Sequence, residues 1–407
     1  MNDRDQEPHA RKARLLHPTV IGLGLVSLLT DAASEMIWPL LPVLLAETMH
    51  ASLAYVGVIE GIADATASLG KYLVGRRSDR IAKRKPFVLA GYSLSTLMRP
   101  LLALAVSPWH ALVIRVLDRV GKGLRSAPRD ALIAQVTDGP SRTVSFGFHR
   151  AMDNLGAVIG PLLALLVLSL TGDNIRAVAW ATCVPGALSV LAIVLLVREK
   201  TAETPSPVQE IAKAASDVAP ISRAFYQYLA AVGVFSLANA SDVFLLAHAR
   251  RRGVSVRDMA LLWAALNAVR ALSATPGAML AQRIGRRRAL TIGWIVYGVC
   301  YLLFSQSQRP ATILAIVILY GSYYGLTEGA EKSLVADLVP AQRLGQAFGA
   351  FALVQGVGAL FAGLLFALLF SSGSGVWAFY ACAALAWASA WILWVVSRGT
   401  VDKAASK

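Results

Sequence analysis

The chain has 407 residues, of which 56% are hydrophobic and 15% charged, and its formal net charge is +15. Its mean hydropathy is +0.57. A soluble domain carries fewer apolar residues in shorter runs, so this composition excludes an ordinary water-soluble protein. A basic balance can suit nucleic acid, but the bases here gather in short gaps between apolar runs, which argues against that partner.

In chain order the apolar runs are 18–49, 53–74, 87–106, 109–136, 144–170 and 177–197, then 226–249, 259–281, 289–305, 311–338, 347–370 and 376–396. Each is near the roughly 20 residues that a helix needs to cross a bilayer. Lipid offers backbone groups no partner, and no run alternates as a barrel strand would, so the spacing predicts an all-α membrane protein with twelve transmembrane helices.

Bases collect in alternate gaps. Arg4, Arg11, Lys12 and Arg14 precede the first run, and Arg76, Arg77, Arg80, Lys83, Arg84 and Lys85 follow the second. Arg198 and Lys200 follow the sixth, 283–288 the eighth, and Arg398 and Lys403 the last. This positive-inside pattern places both termini in the cytoplasm of a cell bounded by its inner (plasma) membrane. The loop from Arg250 to Arg257 is basic on the opposite side and has no explanation in this scheme. Cys183, Cys300 and Cys382 lie within runs and read as packing residues. No CxxC or HExxH is present, so no metal, other cofactor or enzymatic centre is expected.

The longest polar interruption, 198–223, reads as a cytoplasmic linker between an N-terminal half (1–197) and a C-terminal half (224–407). The halves resemble each other. "DRIAKRKPFVLAGY" from Asp79 aligns with "QRIGRRRALTIGW" from Gln282, and "SFGFHRAMDNLGAVIG" from Ser145 with "AFGAFALVQGVGALFA" from Ala347. Both pairs share an offset of 202 or 203 residues. Repeated six-helix halves around a midplane site are a plan of secondary transporters.

"GRRSDRIAKRKP" (75–86) closes the second run: Gly75, Asp79, Arg80, Arg84 and Lys85 resemble the cytoplasmic loop signature of the major facilitator superfamily. Ala82 stands where that signature has Gly, and the second copy keeps Gly285 but has Gln282 for the Asp. A carboxylate there can accept bonds from a helix N-terminus and a nearby Arg, latching the halves together. "RVLDRVGKGLRSAPRDALIA", "GFHRAMDNLGAVIGPLLA" and "LTDAASEMIWPLLP" resemble a bacterial efflux and drug-resistance subgroup of that superfamily. The likeness spans nearly the whole chain and implies a major facilitator fold working as a monomer on a small-molecule substrate.

Charges inside the runs imply a wet or paired interior. By helical rise, Asp31 and Asp64 fall near the centres of the first and second runs, with Glu35 and Glu60 one turn further out. Four acids crowded at one depth repel, which suits a proton carrier. Arg115, Arg119, Lys122, Arg125 and Arg129 form one stripe of the fourth helix. Depth matches Arg119 to the Glu35–Glu60 level, Arg125 to Asp153, and Glu328 and Glu331 to Arg125 and Arg129 across the halves. The outer and inner members, Arg115, Arg129, Asp130 and Lys332, read as a static lattice at the span ends. His149 reads as a packing residue, and the glycines of "GAVIGP" (156–161) as close helix packing or an antiporter motif. Asp242 and Arg270 fall at different depths, which leaves their partners open.

These residues predict a proton-coupled carrier in the lipid bilayer that exports a small organic solute by antiport, with Asp31, Glu35, Glu60 and Asp64 carrying protons. The alternative is a proton-coupled carrier, for uptake or export, of an anionic solute held by the Arg stripe of the fourth helix.

Overall fold

The computed structural model describes residues 16–41, 44–45, 49, 53–81, 83–199, 220–239, 242, 244–245, 248–249, 256–307, 310–371 and 375–404. The basic segment before Leu16, the linker core 200–219 and the loop 250–255 lie outside the described residues.

Among the described residues there is no strand. The first half holds α1 (Pro18–Ile37), α2 (Leu53–Ile81), α3 (Lys85–Leu101), α4 (Pro108–Gln135), α5 (Gly139–Thr171) and α6 (Ile175–Ala181 and Cys183–Leu196, one rod broken at Thr182). The second holds α7 (Arg223–Ala238), α8 (Val256–Ile284), α9 (Arg286–Gln306), α10 (Pro310–Asp337), α11 (Leu344–Ser371) and α12 (Val376–Ala404). Eight rods among the described residues are long and apolar enough to cross a membrane. Those that miss the criterion are instructive: α2, α4 and α8 carry many charges, and α7 ends early, at Ala238.

Contacts follow the repeat. In the first half α1 packs on α5 and α6, α2 on α4, and α3 on α4 and α6. Six helices later α7 packs on α11 and α12, α8 on α10, and α9 on α10 and α12. The halves meet along α2–α11 and α5–α8, two seams that a two-fold axis exchanges. Leu97, Leu165, Leu170, Leu272, Leu368 and Trp391 are each more than 60% exposed, far more apolar surface than water tolerates but apt for lipid.

Glycines let the rods approach. A side chain on Gly156 or Gly160 of α5 would run into the α1 backbone at Leu28 and Ala32. The "GAVIGP" run therefore packs α5 onto α1 beside Asp31 and Glu35, as small residues do in membranes. Gly70 of α2 crosses Gly123 of α4 at backbone contact, and Gly325 of α10 crosses Ser273 of α8 at the equivalent place.

Candidate functional site: a charged central cavity

A cavity of about 490 Å³ lies between the halves. That is within the roughly 300–1,000 Å³ of small-molecule sites. Its first-half wall carries Asp31 (α1), Lys71 (α2), Lys122, Arg125, Arg129 and Asp130 (α4), and Arg150 and Asp153 (α5). Facing it are Asp242, Arg270, Glu328, Glu331 and Lys332, set among the rings of Phe235, Tyr323, Tyr324, Phe348 and Phe351.

Much of this charge is paired. Arg150 reaches from α5 to Glu328 of α10 at 2.7 Å and to Asp153 at 3.5 Å. Asp153 also accepts from Ser27 of α1 and lies 3.7 Å from His149. Lys332 meets Asp130 at 2.8 Å, and Arg129 meets the same carboxylate at 3.0 Å. In the second half Arg270 donates to Asp242 at 2.6 Å and lies over the Tyr324 ring at 3.9 Å, while the Tyr320 hydroxyl donates to Asp242 at 2.7 Å.

Several expectations change. Depth set Arg125 and Arg129 against Glu328 and Glu331, yet the ion pairs that cross between the halves inside the cavity are Arg150–Glu328 and Lys332–Asp130. Arg125 instead donates to the Ser95 hydroxyl and lies over the Tyr92 ring at 4.5 Å, because it faces α3. Glu331 accepts from Gln355 at 3.3 Å. Three of the four acids are described, and they sit in different surroundings. Asp31 lines the cavity, Glu35 is half-buried a turn away against Gly160, and Asp64 is 71% exposed with Arg119 at 3.4 Å. The side chain of Glu60 lies outside the described residues. Asp242 and Arg270 are partners after all: α7 ends at Ala238, so a depth counted along a continuous helix misplaces Asp242.

Sequence reasoning missed Lys71, Arg99 and Asp118. Arg99, 2% exposed, pairs with Asp118 at 3.3 Å and donates to the Thr30 carbonyl at 2.9 Å, fixing α1 beside Asp31. An arginine in the apolar run 87–106 was the available signal, since such a group needs a partner.

At the basic end of the bundle the 75–86 motif forms a clasp. The Asp79 carboxylate accepts from the backbone N–H groups of Gly345 and Gln346, at 2.9 and 2.7 Å, where α11 begins. Arg84 adds a bond at 3.1 Å and donates to the Ala341 carbonyl and Gln135. Burial pushes the Asp79 carboxyl above its ordinary value, with the Gln346 N–H and Arg84 pulling against it. Arg80 is exposed. Lys85 donates to the Val194 carbonyl, and Glu199 accepts from the N–H groups of both Arg84 and Lys85, capping α3. The opposite seam lacks an acid at Gln282. There Asp337 of α10 takes both Arg142 and Arg286, and Arg286 also reaches Thr143 and the Gly139 carbonyl of α5.

Two like halves in a lipid-facing bundle, closed at one end around a charged central cavity, define a solute transporter rather than an enzyme. The family model of the Major Facilitator Superfamily matches residues 23–269 and 228–407, and the chain belongs to that superfamily. An uncharacterized MFS-type transporter of Methanocaldococcus jannaschii is 32% identical over 360 residues, covering 86% of this chain and 88% of that one. The class C tetracycline resistance protein of Escherichia coli is 25% identical over 377 residues, covering 88% and 91%. The human organic anion transporter MFSD10 (TETRAN) superposes with a TM-score of 0.76 at 17% identity, covering 92% of this chain and 99% of that one.

Proposed function

We propose that the chain is a proton-coupled carrier of a small organic solute, working by alternating access, with Asp31 as the carboxyl that takes up and releases the proton. The placement of Asp31 supports this reading. It lines the cavity, and among the described residues nothing donates a side-chain hydrogen bond to it. A carboxylate so placed can change its charge without dismantling the fold. Glu331 across the cavity, with its long bond from Gln355, is a second such group. The Gly75–Asp79–Arg84 clasp serves as the cytoplasmic gate between the half 1–197 and the half 224–407, and Lys85 and Glu199 brace it.

Export by antiport is the first reading for direction, in line with the tetracycline resistance relative. It requires solute and proton to exclude one another. A second reading, transport of an anionic solute, is favoured by the cations Lys71 and Lys122, which have no acidic partner in the cavity within ion-pair distance among the described residues. The test is counterflow and pH-driven flux of labelled drugs, siderophores, sugars and organic acids in proteoliposomes. Asp31→Asn should abolish pH-driven flux and leave counterflow intact. Unchanged pH-driven flux would remove Asp31 from the role.

A further inference from the structure

The point where α2 crosses α4 carries a consequence for the cargo. Gly70 and Gly123 meet backbone to backbone, at 3.0–3.1 Å from an added Cβ to the opposing Cα. Their neighbours Lys71 and Lys122 therefore come off the same crossing, and both line the cavity. The two ammonium groups line one cavity and repel each other across it unless something negative lies between them. The nearby acids are engaged elsewhere: Asp130 is shared by Arg129 and Lys332, and Asp153 by Arg150, Ser27 and His149. Once these pairs are set aside, the first-half wall keeps Lys71, Lys122 and Arg125 against Asp31 alone.

The other half presents a different surface at the same level. The repeat relates Lys122 to Tyr324, beside the Gly325–Ser273 crossing, and Tyr323 and Phe351 continue the wall. One crossing carries ammonium groups and its counterpart carries rings. We infer that the cavity binds an organic anion with a flat apolar body, its carboxylate on Lys71 and Lys122 and its body against Tyr323, Tyr324 and Phe351. This rests on the second reading above, transport of an anionic solute, and names its cargo.

A coupling rule follows. The groups around Asp31 are Lys122 and Arg125 of α4, Asp153 of α5 and Glu35 of its own helix. An ionised Asp31 competes with the anion for Lys122. Once protonated it releases that lysine, so proton and anion bind together, and each strengthens the other by the same factor.

The experiment uses the purified full chain and isothermal titration with benzoate, 2-naphthoate and indole-3-acetate beside 2-naphthamide, the neutral match of the second. At least one carboxylate should bind at submillimolar concentration, and 2-naphthoate should bind at least tenfold tighter than the amide. Lys71→Gln and Lys122→Gln should each remove most of that preference, and Lys71→Arg should restore it, which separates lost charge from lost folding. Equal binding of acid and amide, or no binding of any carboxylate at millimolar concentration, overturns the inference without any variant. Titration in buffers of different ionisation enthalpy counts the protons taken up with the anion. Lysine-dependent binding without proton uptake upholds the anion site and overturns Asp31 as the coupling group.

Discussion

Gly75 of α2 and Gly345 of α11 pass so closely that a methyl group on either would penetrate the other's carbonyl oxygen. The Asp79 carboxylate bonds the N–H groups of Gly345 and Gln346 one turn away. The two facts are one device: only bare backbone allows the approach that puts the carboxylate over the start of α11.

Gly75→Val should therefore part the seam and leave each half intact. Overpacking costs about 1–3 kcal/mol. A shift of that size in a two-state equilibrium is roughly 5–150-fold. Ser78 is buried at this seam, its hydroxyl bonded to the Gly75 carbonyl. A Ser78→Cys reporter, with Cys183, Cys300 and Cys382 changed to Ala, should label much faster in the Gly75→Val background. Equal labelling at an unchanged melting temperature would mean that the glycine pair does not hold the end closed.

The clasp should also respond to acid. Burial holds the Asp79 carboxyl above its ordinary 3.8, so the clasped group binds its proton more tightly than an open, hydrated one. Closing then gains from acid: the gain is complete below 3.8 and is lost as pH rises through the clasped value. Spin labels at Arg77→Cys and Gln342→Cys should show the closed population falling as pH is raised from 3.8. Asp79→Asn should flatten that curve, and a slope that survives the substitution would assign it to another group.

The all-helical, membrane-spanning plan was legible because lipid demands apolar runs of one length, and the clasp because a spaced Gly and Asp before a basic run leave few other readings. Partners were not. Helical rise gives depth along the membrane but not the direction in which a side chain leaves its helix. Arg125 shares a depth with Asp153 yet turns to Ser95, while Arg150, next to a histidine and easily passed over, reaches Glu328. Lys71 is a case of the same kind: the Gly70–Gly123 crossing brings its helix against that of Lys122, and both lysines line one cavity.

The Arg150–Glu328 pair spans the two halves inside the cavity, so it should bias the closed state. Arg150 is 42% exposed to the cavity, and water screens the pair. Removing one partner should cost about 1–3 kcal/mol. The 3–5 kcal/mol typical of a sealed pair is not expected. In a cycle of Arg150→Gln, Glu328→Gln and both together, read by the same labels, the coupling should be about 1–2 kcal/mol. Strictly additive effects would show that the two side chains meet without consequence. Arg150→Glu with Glu328→Arg should rescue only in part, because Asp153 would then face a second acid.

Membrane potential separates the two directions of transport. If a proton and a monoanion travel together, no net charge crosses, and a potential set with potassium and valinomycin should leave the accumulation ratio unchanged. Exchange of one proton for a neutral solute moves one charge, worth about 2.3 kcal/mol per 100 mV. That is roughly fifty-fold in the gradient the carrier can hold. Exchange of a proton for an anion moves two charges and should respond twice as steeply. The free lysines of the first-half wall argue for the flat response. A fifty-fold dependence would return the chain to the antiport reading and leave Lys71 and Lys122 in need of another role.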